Sequence, residues 1–193
     1  MKKTVLTFGI ISGAVSALMM LSTIPFMHKI GFDRGLIVGY TSIVLSFLLV
    51  FFGIRSYREN VGGGKITFGR AFAVGILITL ISCSFYVITW EIVYFNFMPD
   101  FADKYTAYMV EKVKASGGNQ QAINATIQQM KDMKRMLDNP LINAAMTFLE
   151  PFPIGFIITL ISSAILRKKG PAVSQNSASR GQSGDVLDQP SSL

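Results

Sequence analysis

Two glutamates pose the chemical question in this sequence. Glu91 and Glu150 are the only acids embedded in long apolar runs, and an ionisable group inside a membrane-spanning helix is by default a candidate for function. Asn143 and Thr147 precede Glu150 at a spacing of four and then three residues, which puts all three on one helical face. Pro151 and Pro153 follow. Neither proline nitrogen can donate, so the carbonyls of Thr147 and Leu149 are expected to be free at a kink, where a carboxylate can hold a proton or a small cation. The plainer reading is a pair of interfacial carboxylates. Glu91 lies 20 residues beyond Ala71, roughly 30 Å of helix, and Tyr86, Trp90 and Tyr94 around it look like an aromatic belt. Glu150 lies 16 residues before Leu166, roughly 24 Å. Both estimates set the two acids at similar height, and in the sharper reading they share one pocket and one proton or cation.

Other chemistry-bearing residues lead nowhere comparable. His28, the only histidine, adjoins a span end without a second ligand in sight, and an interfacial place suits it better than a metal. Cys83 is single, so it has no disulfide partner and offers no thiol metal site. Gly62 to Lys65 places a lysine after glycines but lacks the spacing and the following Ser or Thr of a phosphate loop; it reads as a flexible turn. No Ser, His, Asp set and no paired carboxylates in a cleft are recognisable, so the expectation is a protein that is not an enzyme and needs no cofactor.

The elements that must position the glutamates are hydrophobic helices. Half of the 193 residues are apolar, 15% are charged, and the formal charge is +7. A basic chain could bind nucleic acid, but here Lys2 and Lys3, Arg55 and Arg58, and Arg167 to Lys169 flank the apolar runs, as expected of cytoplasmic loops beside anionic lipid. Nucleic acid is therefore not the expected partner; the bilayer is. Spans are predicted at about 4–27, 35–54, 71–97 and 141–166, each long enough for a core of roughly 30 Å. The first is too long for a signal peptide and has no small-x-small cleavage pattern. His28 to Arg34 forms a short turn, and the fourth span is expected to kink at its prolines.

Residues 99–139 form the one large polar insert. Tyr105, Tyr108, Met109 and Val113, then Ile123, Ile127, Met130, Met133 and Leu137, give two helical stripes broken at Ser116 to Asn119. This predicts an extramembrane helical hairpin packed on itself, with Asn119 as an N-cap. From 170 to 193 the chain is rich in Ser, Gln and Gly and reads as a disordered tail. The fold class is all-α: a polytopic membrane protein with a four-helix transmembrane domain over 1–169. An N-inside, C-inside arrangement places ten Lys and Arg residues on the cytoplasmic side against eight outside.

The stretch Gly63 to Phe72 leading into a span, then Trp90–Glu91 and Met98 to Phe101, resembles an uncharacterised bacterial membrane family, the domain of unknown function 4199. The resemblance covers about residues 1 to 170. It implies a bacterial cytoplasmic (inner) membrane protein of four spans and carries no activity or site residues.

Small residues are expected to mark helix contacts, because backbones in lipid associate by close approach. Gly9, Gly13 and Ala17 form one stripe, and Gly35, Gly39, Ser42, Ser46 and Gly53 another. They pack a bundle, or else a homo-oligomer or a membrane-protein partner. Two functions follow as expectations: a non-enzymatic scaffold or accessory protein presenting an extracytoplasmic hairpin, or a small transporter or ion-conducting protein using Glu91 and Glu150. The sequence names no substrate.

Overall fold

The structure is a computed structural model and describes residues 1–168. The expected tail from 170 onward, and the side chain of His28, lie outside the described residues. The described chain is helical: α1 (Lys2–Thr23), α2 (Met27–Asn60), α3 (Phe68–Ile92), α4 (Phe101–Ala115), α5 (Gln120–Leu137), α6 (Pro140–Leu149) and α7 (Phe152–Leu166). Four stretches are long and apolar enough to cross a membrane: Lys2–Phe26, Lys29–Asn60, Phe68–Phe97 and Pro140–Leu166.

Local chemistry sets most boundaries. Thr67 caps α3 by accepting from Arg70 N, Asn119 caps α5 through Ala122 N, and Asn139 caps α6 with Pro140 in its first turn. Each cap satisfies a donor that the first helical turn leaves orphaned. The expected turn from His28 to Arg34 shrinks to a short 3-10 turn at Ile24–Phe26 and a break at Gly31, whose φ of 75° belongs to glycine. At its other end α2 outruns the apolar sequence, reaching Asn60 rather than 54. Polar residues such as Arg55 and Glu59 continue it as an i,i+4 ion pair. After α3 the chain widens into a π-helical turn at Val93–Phe97, with Met98 N donating five residues back to Val93 O.

The Gly62 to Gly64 turn is held more firmly than a flexible turn would be. Gly62 N donates to Tyr57 O and Gly64 N to Arg58 O, while Ile66 pairs with Lys168 in an isolated antiparallel bridge. That bridge ties the α2–α3 connection to the end of α7.

Cross-helix contacts give the helix directions. A Cβ on Gly9 would meet Ile81 and one on Gly13 would meet Phe85, so α1 and α3 run parallel. Gly53 faces Phe8 while Ser12 bonds Ser46, so α2 is antiparallel to α1. Gly75 and Thr79 both meet Thr159, and Gly155 meets Thr79, which sets α7 against α3 in the opposite sense. The end with Asn60, Phe68 and Leu166 is therefore one end of the membrane helices, and α4 and α5 join the other.

Polar residues hold this packed region together. Ser12 Oγ donates to Ser46 O at 2.9 Å and Ser46 Oγ returns the bond to Ser12 O at 2.8 Å. With the Ser12 proton so used, Ser82 Oγ is the donor in the 3.0 Å contact to Ser12 Oγ. Three helices meet at that cluster. Thr79 and Thr159 form a second buried pair at 3.0 Å. Around them lies a core that includes Ile43, Phe47, Val50, Ile54, Val74 and Ile78. Between helices in lipid, small side chains and hydrogen bonds supply what apolar burial supplies in water.

Candidate functional site

At the α4–α5 end the same helices separate around a cavity of about 480 Å³, within the usual range of small-molecule sites. The last turns of α1 contribute Ser16, Met20 and Thr23; α2 contributes Phe32, Gly35, Gly39 and Ser42. Tyr86 and Trp90 come from α3, and Met146, Thr147 and Glu150 from α6 and its end. Phe101 and Tyr105 of α4, with Met133 and Leu137 of α5, complete the wall.

Glu150 stands where α6 ends and α7 has yet to begin. It and Pro151 keep right-handed helical dihedrals, so the interruption is local and falls, as expected, where proline nitrogens cannot donate. Tyr86 donates its hydroxyl to Glu150 Oε2 at 3.1 Å. Among the described residues Glu150 is the one charged side chain on the cavity wall.

Asn143 has a different task. It is fully buried; its Oδ1 accepts from Trp90 Nε1 and from Thr147 Oγ1, each at 3.1 Å, and its Nδ2 donates to Leu137 O at 3.0 Å. Three elements are thereby fixed to one amide: α3 through Trp90, α5 through its last residue, and α6 itself. The expected shared face of Asn143, Thr147 and Glu150 exists, but Asn143 braces the wall while Thr147 and Glu150 line it.

The expected pairing of the two glutamates is not what the structure places there. Glu91 is absent from the cavity wall, and its buried Oε1 has no hydrogen-bond partner among the described residues. The reason is helical geometry. Tyr86 and Trp90, four residues apart, face the cavity, and the next residue is turned away by about 100°. Similar height does not give a common pocket.

The small-residue stripes also divide. Gly9 and Gly13 lie tightly against α3, and Ser46 sits in the serine cluster. Gly39 does not pack: nothing lies within 4 Å of the place its Cβ would take, and with Gly35 and Ser42 it lines the cavity. The stripe on α2 is thus a helix contact toward one end and a cavity wall toward the other. Ser12, Ser82, Thr79 and Thr159 went unread in the sequence because a lone hydroxyl in an apolar run has no spacing signature.

Contacts from α4 cover one side of the site. Phe32 meets the rings of Phe101, Tyr105 and Tyr108 at centroid distances of 5.9, 5.3 and 5.0 Å, and Trp90 meets Phe101 edge-on at 5.2 Å. Lys112 Nζ donates to Asp33 Oδ1 at 2.9 Å and to Tyr108 Oη at 3.2 Å. These bonds hold the Lys112 ammonium above its usual pKa, chiefly through Asp33. Asp103 does the same for Lys134, joining α4 to α5 through a bidentate contact at 2.6 and 2.7 Å. Both lysines therefore stay charged through the physiological range.

Among the described residues no group of three or more His, Cys, Asp or Glu side chains converges on a metal position. The model of a family described as Protein of unknown function (DUF4199) matches residues 7–168. No curated protein and no solved structure matches the chain.

Proposed function

We propose, for a chain that belongs to the DUF4199 family, a non-enzymatic role in the bacterial inner membrane: binding a small, largely apolar molecule. In this reading the four membrane helices form a bundle, the N- and C-termini are cytoplasmic, and α4 and α5 form an extracytoplasmic hairpin over the cavity. The observation that carries it is the cavity itself, apolar in most of its lining, with Glu150 and Tyr86 as its polar corner. Sites of this kind are mostly apolar, with a few placed polar groups that orient the ligand.

The scaffold reading is modified rather than dropped. Tyr105 and Phe101 turn toward the cavity and Phe32, so part of the apolar stripe on α4 covers the protein's own site. A transport reading shares the carboxylate, but it needs a path past the Ser12–Ser46–Ser82 cluster and the Thr79–Thr159 pair, hence a second conformation.

Trp90 is the only tryptophan and lines the cavity, so its fluorescence reports directly on the site. Titrating the purified full-length protein in lipid nanodiscs with triphenylphosphine oxide, a neutral and mainly aromatic probe, should change Trp90 emission saturably. A linear, unsaturable response would remove the binding reading. For orientation, a cysteine at Gly118 in a Cys83→Ser background should react with an impermeant thiol reagent in intact cells, and one at Gly63 should not.

A further inference from the structure

Resting on the reading of the cavity as a binding site, we propose that its ligand class is the apolar organic cation, an ammonium- or phosphonium-type molecule whose charge is held by Glu150. Its apolar substituents occupy the space among Trp90, Phe101 and Tyr105.

Charge complementarity is the first ground. The wall carries one carboxylate and, among the described residues, no cationic side chain. The hydrogen bond from Tyr86 reaches Oε2, and one neutral donor does not balance a carboxylate withdrawn from water. Beside a neutral occupant the carboxyl is accommodated by holding a proton, whereas an anion would oppose its ionised form. An organic cation supplies the missing sign.

The walls distinguish which cation. A calcium or magnesium ion calls for six or more oxygen ligands, and no cluster of acidic side chains stands here among the described residues. The wall instead presents aromatic rings from three elements, α2, α3 and α4. Aromatic faces attract weakly hydrated cations, and such cages are a common means of holding quaternary ammonium groups. Met20, Met98, Met133 and Met146 line the same space. Thioethers are polarisable and conform to varied apolar shapes, which suits a class of ligands rather than one rigid molecule.

Trp90 emission provides the test, using tetraphenylphosphonium as the cationic probe and triphenylphosphine oxide as its neutral counterpart, both with the full chain in nanodiscs of zwitterionic lipid. Tetraphenylphosphonium should bind at least about tenfold more tightly than the neutral probe, and Glu150→Gln should abolish that preference. Glu150→Asp keeps the charge and should keep the preference. Equal affinity for the two probes in the wild-type protein overturns the cation assignment and leaves the binding reading standing; that comparison needs no variant, so a Glu150→Gln chain that fails to fold does not rescue the idea. A preference retained in folded Glu150→Gln likewise overturns it. Saturable binding of neither probe overturns both readings together.

Discussion

The two ends of the membrane helices use the same residue types to opposite effect. Toward the Asn60 and Leu166 end, glycines and hydroxyls bring backbones together: a Cβ on Gly75 would stand 2.7 Å from Thr159, and one on Gly155 would stand 2.5 Å from Thr79. Toward the α4–α5 end, Gly35, Gly39 and Ser42 line the cavity, and nothing stands within 4 Å of the Cβ position at Gly39. A small residue in a membrane helix thus has two structural meanings. What decides between them is whether large side chains across the gap point in, as Phe85 does at Gly13, or stand apart as the wall of a cavity.

The largest effect should come from filling the tight α1–α3 contact at mid-helix, just below the cavity. Gly13→Leu forces a branched side chain into Phe85, whose Cγ already lies 2.6 Å from the Cβ position. Overpacking of this kind costs about 1–3 kcal/mol, and thermal unfolding in detergent should register a clear loss. Gly39→Leu should cost little by the same measurement, the reverse of what a uniform packing stripe implies. Equal losses at the two positions would erase the distinction between the ends.

A smaller effect is expected from the hydroxyl cluster. Ser82→Ala removes the donor to Ser12 and leaves the reciprocal Ser12–Ser46 pair in place. Interhelical hydrogen bonds in membrane proteins average about 0.6 kcal/mol, so the loss should be modest beside Gly13→Leu. A loss as large as that of Gly13→Leu would mean that the serines, and not the glycine contacts, hold this end.

The glutamates sharpen the comparison from another side. Since Glu150 lines the cavity and Glu91 does not, Glu91→Gln and Glu150→Gln should combine additively in stability, within about 0.5 kcal/mol. Cysteines at the two positions, in a Cys83→Ser background, should resist crosslinking by a short reagent. Efficient crosslinking would restore the shared pocket. Least of all, Asp33→Asn should leave the unfolding midpoint in place, because the Lys112–Asp33 pair is exposed on both sides and such pairs contribute little. The Phe32 ring contacts would keep α4 seated.

Much of this architecture was legible in composition and spacing. Runs of 20 or more uncharged residues cannot be hidden in a domain of this size except in lipid, and Asn119 and the two prolines announced their boundaries through capping and missing donors. The helix end at Asn60 was hidden because the hydropathy falls at Arg55 while helical hydrogen bonding continues. The candidate site was half legible. Glu150 was found because an acid in an apolar run is conspicuous. Its partner Tyr86 and the cavity were not, since both depend on how α1, α2 and α3 rotate about their axes, and an almost uniformly apolar helix such as α3 carries no amphipathic signal to fix that rotation. The same blindness paired Glu91 with Glu150 by height alone.

Gly39→Phe, assayed at once for thermal stability and for quenching of Trp90 by triphenylphosphine oxide, tests the open end as a binding site most directly. Gly39 is helical with free space beyond its Cβ position, so a ring placed there should enter the cavity without displacing a helix. The account predicts an unfolding temperature close to that of the unsubstituted protein and a saturable quenching signal that is lost. Retained quenching with unchanged stability, or collapse of the fold, would contradict it.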